Sequence, residues 1–182
     1  MSEADLFTRL TSVHRPDCEI FAEGPLPQPA PDPDTMAQTL GNEEAARYAE
    51  ACRVPFEDLR RVIGQIAGLM ILAQLSRKAD IADLTELTVC RDRWQTCAAH
   101  LDTLRPPAPL APHRDQLAAA HVFSGKALRS FDALRPQADN TPVFDDIARL
   151  VRRAYAHLSA ATSPKAGLEM ADLTHACCSC GR

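Results

Sequence analysis

Pro55-Phe-Glu-Asp-Leu-Arg-Arg-Val-Ile-Gly-Gln-Ile-Ala-Gly-Leu-Met-Ile-Leu-Ala-Gln-Leu-Ser-Arg-Lys-Ala79 is the stretch on which the fold of this 182-residue chain turns. Leu59, Val62, Ile66, Leu69 and Ala73 step by three and four, one face of a helix. Pro55 suits a first helical position, and Val54 before it is biased toward extended angles, so the spacing predicts a helix start here. Glu57 and Asp58 lie at its positive end, Arg77 and Lys78 at its negative end. The 14 residues from Val62 to Leu75 carry no charge. A membrane span needs ~20 apolar residues, so the expectation is a central helix of a water-exposed bundle, surrounded by other elements. Gly64 and Gly68, one turn apart, are expected to admit a close neighbour.

Upstream, Asn42 to Arg53 is expected to form a separate helix packed outside, with Asn42 as N-cap and Ala45, Ala49 and Cys52 as a small-residue stripe. Ser2 to Val13 suggests a short amphipathic helix. Between Pro16 and Asp34 six prolines impose extended coil, read as a surface spacer or a docking peptide.

Downstream, Asp80 is expected to cap a second long helix. No Gly or Pro interrupts the chain between Leu69 and Arg105, so one helix from Pro55 to Leu104 is the alternative. Leu87, Cys90, Trp94, Cys97, Leu101 and Leu104 continue the rhythm. Leu117, Ala120, Ser124, Ala127, Phe131 and Leu134 repeat it after a proline-rich connection. Phe144, Ile147, Val151, Ala154, Leu158 and Ala161 repeat it again, behind Thr141 as cap and Pro142. Nothing alternates like a strand. The fold expected is all-α: an antiparallel four-helix bundle over residues 35–163. It is preceded by an N-terminal segment with a proline-rich linker, 1–34, and followed by a Cys-rich tail, 164–182.

Hydrophobic residues make up 46% of the chain, enough for a real core at this length. A net charge of −4, with Lys and Arg spread along the helices, argues against nucleic-acid binding. The seven cysteines cannot all pair within one chain. The first ten residues lack a signal peptide's apolar run, so a reducing cytoplasm and free or metal-bound thiols are expected. No segment reads as membrane-spanning.

The Glu-x-x-His spacing of di-iron bundles is absent, as are nucleotide-binding loops and a Ser-His-Asp order. His14, His113 and His157 sit at loop edges or beside core stripes, and His121 in an apolar belt. Cys97 and His100, three apart, suit one metal, but Cys90 and Cys97 read first as core residues.

The tail is chemically different: His175, Cys177, Cys178 and Cys180 place four soft-metal ligands within six residues. Such a set suits copper, zinc or another thiolate-bound metal. Vicinal Cys177 and Cys178 do not both fit one ideal tetrahedron, which leaves one for a second metal or an exchange step. Two thiolates flanking one residue can also bind with the intervening backbone nitrogens. In this respect Cys178-Ser179-Cys180 resembles the Cys-Ser-Cys claw of nitrile hydratases, with His175 where that family has a further cysteine. The Cys177-Cys178 pair is similar to the C-terminal pair of mercuric reductases. These likenesses span three and two residues and imply neither fold nor activity.

The function expected is a metal-binding or metal-delivery accessory protein with a protein partner, a homo-oligomer being compatible. The alternatives are a helical adaptor or regulator, and a carrier whose tail cysteines another enzyme modifies. An enzyme with its active site among the helices is least supported.

Overall fold

A computed structural model describes residues 34–35, 38, 41–76, 85–135 and 138–170. Among these residues four long helices carry the fold: α1 (Asn42–Ser76), α2 (Thr85–Thr103), α3 (Ala111–Ser130) and α4 (Thr141–Ala160). Three 3-10 turns, Ala108–Leu110, Phe131–Ala133 and Pro164–Ala166, join or extend them. Among the described residues there is no strand, only an isolated bridge between Ser163 and Leu168. The fold is all-α. The expected N-terminal helix, most of the proline-rich segment, the Asp80 cap and the Cys-rich cluster lie outside the described residues.

The helix start expected at Pro55 is overturned. α1 is one helix of 35 residues, about 52 Å long at 1.5 Å per residue, with Pro55 in its interior. An interior proline costs about 3 kcal/mol. The buried stripe explains why the helix continues: Tyr48, Cys52, Phe56, Leu59 and Ile63 fall in one apolar cluster on both sides of the proline. Pro55 itself is fully buried, and Ala51, whose carbonyl loses its helical donor, is exposed to water. Residues 42–53 are therefore the first third of this helix, not an outer piece.

Successive helices alternate in direction. The thiols of Cys90 and Cys97 on α2 donate to the carbonyls of Val62 (3.8 Å) and Pro55 (3.6 Å) on α1. Seven residues forward on one helix match seven back on the other, so α2 folds back on α1 and a single helix to Leu104 is excluded. α3 and α4 are paired the same way by Gln116 with His157 and by Ser130 with Asp146. One core cluster joins Cys52 and Phe56 to Leu101, Leu117 and Leu158. The other joins Ile66 and Leu69 to Leu87, Phe131 and Ile147.

α1 is not enclosed on all sides. Leu72 is 49% exposed, and Gly64 and Gly68 face open space, with nothing within 4 Å of a Cβ built on either. The uncharged run owes its length partly to Gly, Ala and Gln, which lack charge without needing burial. Among the described residues, the close approach expected at these glycines does not occur. Gly64→Ala and Gly68→Ala should each stabilise the protein by about 0.5–1 kcal/mol, by removing backbone freedom from the unfolded chain. Urea midpoints measure this, and a loss at both positions would show the face to be covered.

The end of α3 and start of α4 are set by local polar bonds. Asn140 Oδ1 accepts from the Arg135 amide and its Nδ2 donates to the Arg135 carbonyl. Thr141 is not the cap: it is the first residue of α4, and its amide bonds Asp139 Oδ1 at 3.0 Å. Residues 164–170 then pack onto α1. Gly167, at φ 72°, turns the chain so that Ser163 and Leu168 exchange backbone bonds, and Leu168 is buried.

Candidate functional site

The three described cysteines are core residues. Burial pushes the Cys52 and Cys90 thiols up to about 11. The Cys97 thiol is pushed up to about 12 by burial, with Asp58 adding to the effect. Thiolate is the metal-binding and nucleophilic form, so all three are protonated and inert near neutral pH. His100 Nδ1 lies 3.4 Å from Asp58 Oδ2, within ion-pair range but without a formed hydrogen bond. Among the described residues no three His, Cys, Asp or Glu side chains converge as a metal site. His175, Cys177, Cys178 and Cys180 lie outside the described residues.

Three of the four described histidines are hydrogen-bonded to other elements, and their partners fix their tautomers. His113 Nε2 lies 3.0 Å from the Ala161 carbonyl, which only accepts, so Nε2 carries the proton and Nδ1 accepts from the Tyr48 hydroxyl. His121 donates Nε2–H to the Trp94 carbonyl at 3.0 Å, and Trp94 donates its indole N–H to the His121 carbonyl at 2.9 Å. The two rings stack at 4.6 Å, latching α2 to α3. His157, 4% exposed, donates Nδ1–H to Gln116 Oε1 at 2.7 Å and stacks on Phe123. Its Nε2 is buried without a hydrogen-bond partner. Burial holds His113, His121 and His157 below the usual histidine range, and Arg153 adds to the effect at His157.

The helix-pair seam also gathers charges that are scattered in sequence. A cleft of about 400 Å³ between α3 and α4 is edged by Lys126, Arg129 and Arg149. Phe123 and Leu150 give it an apolar floor. Asp146 accepts from Ser130 at 2.9 Å and from Arg149 at 2.6 Å. Arg153, 3% exposed, lies 4.9 Å from the centre of the Phe123 ring, and Lys126 Nζ lies 5.3 Å from it. Sequence reasoning missed this cluster. The only signal was the arginine repetition at 149, 152 and 153 opposite the basic pair at 126 and 129.

No protein-family model, curated protein or solved structure matches the chain. Among the described residues no helix is long and apolar enough to cross a membrane.

Proposed function

We propose that this protein is a cytoplasmic accessory protein for a thiophilic metal. In this reading it is an antiparallel four-helix bundle with additional N-terminal helices. Its Cys-rich tail bears the ligands His175, Cys177, Cys178 and Cys180, and it serves a protein partner. The observation that carries the reading is the density of four soft ligands within six residues, which makes chelate closure cheap in loop entropy. The inert state of Cys52, Cys90 and Cys97 supports it, because protonated buried thiols do not compete for the ion. Ligand thiols must lose protons to bind, so affinity rises with pH.

The test compares untagged, reduced full-length protein with a chain lacking residues 175–182. Truncation should leave helix content and melting temperature nearly unchanged while abolishing stoichiometric uptake of Cu(I) or Zn²⁺. Equal binding by both chains would move the site elsewhere. No binding by the intact chain at micromolar concentration would replace this reading with the adaptor or, if a mass shift maps to the last eight residues, with the modified carrier.

A further inference from the structure

We propose that the cleft between α3 and α4 binds a small phosphate-bearing molecule with an apolar or aromatic body. Its rim holds three cations against one carboxylate, on a protein whose net charge is −4. Both oxygens of that carboxylate are engaged: one Asp146 oxygen holds Arg149 and the other holds Ser130. Lys126 and Arg129 have no carboxylate within ion-pair distance among the described residues, and both side chains are exposed. A guanidinium fork and an ammonium beside one space match an anion that offers several oxygens.

The size of the cleft argues for more than a bare anion. The cleft is open to solvent, and at about 400 Å³ it exceeds what one phosphate fills. The remaining space borders Phe123 and Leu150, and Phe123 is held in place by the parallel ring of His157 at 5.4 Å. An apolar group on the ester would gain from covering this floor, while a free phosphate would not. A phosphomonoester headgroup on a lipid offers the same anion from a different source.

Isothermal titration of the full chain with phenyl phosphate, inorganic phosphate and phenol tests the proposal. Phenyl phosphate should bind saturably, one per chain, and more tightly than either fragment. Lys126→Gln combined with Arg129→Gln should weaken it by about tenfold or more, as expected for two lost charge-assisted bonds. Arg47→Gln combined with Arg61→Gln removes equal charge from exposed positions on α1 and should change affinity by less than about twofold. All four side chains are exposed, so circular dichroism should be unchanged. The proposal is overturned by no saturable binding at about 1 mM, or by equal losses in the two double variants. Binding only to vesicles containing phosphatidic acid would overturn it too, by assigning the cleft to a membrane headgroup.

Discussion

Ile66→Asp should unfold the protein at room temperature or leave it on the edge of unfolding. Ile66 is fully buried in the second core cluster with Val62, Leu69, Leu87 and Phe131. Replacing it removes a packed side chain worth about 2–3 kcal/mol. It also places a carboxylate where neither water nor a cation waits, adding several kcal/mol even after the group neutralises itself. Whole domains are stable by only about 5–15 kcal/mol. Gly68→Asp is the matched control: the same side chain is added two positions along the same helix, at an exposed site with nothing within 4 Å. Thermal melts followed by circular dichroism should separate the two sharply. If Ile66→Asp melts within a few degrees of the parent, Ile66 does not sit in a core.

Gly125→Ala should cost about 2 kcal/mol, opposite in sign to alanine at Gly64 or Gly68. A Cβ at Gly125 would stand 2.4 Å from Trp94 Cζ2 and 2.7 Å from Cε2. The obstacle is a rigid indole, not the end of a flexible chain. The ring must move, breaking its bond to the His121 carbonyl and its stack on the imidazole. Alanine gains about 1 kcal/mol of helix propensity, against about 1–3 for overpacking and about 1 for each hydrogen bond lost. For a chain of this length the melting temperature should fall by about 4–8 °C. Trp94 is the only tryptophan, so its fluorescence reports the displaced ring directly. A raised melting temperature would show that the indole swings clear at no cost.

The contrast among these glycines shows what was legible beforehand. All three sit in helices, and spacing alone favoured Gly64 and Gly68 as contact points. Among the described residues only Gly125 of the three has a neighbour against it, because contact depends on where the Trp94 ring lands from another helix. The three-four rhythm located α2, α3 and α4 because their buried stripes are local. Pro55 misled because a local rule was set against a tertiary one. The stripe from Tyr48 through Cys52 and Phe56 to Leu59 crosses the proline without losing phase, and continuous burial outweighed the missing amide. The tail ligands were legible as a cluster because they are neighbours in sequence. The cleft was not: Lys126 and Arg129 meet Asp146 and Arg149 only through the antiparallel register of α3 and α4. The buried Gln116 and Arg153 were hidden for the same reason, since each looks like an ordinary surface residue until its partner helix is in place.

The paired thiols of α2 give the protein a set of internal clocks. Cys90 and Cys97 grip α1 at points seven residues apart, and Cys52 sits within α1 itself. None can meet an alkylating reagent until the helices around it part. Brief labelling followed by peptide mass mapping therefore times the opening of each place separately. If α1 and α2 separate from one end, Cys90 and Cys97 acquire label at different rates. If the helices part only when the whole fold opens, the two rates coincide and equal that of Cys52.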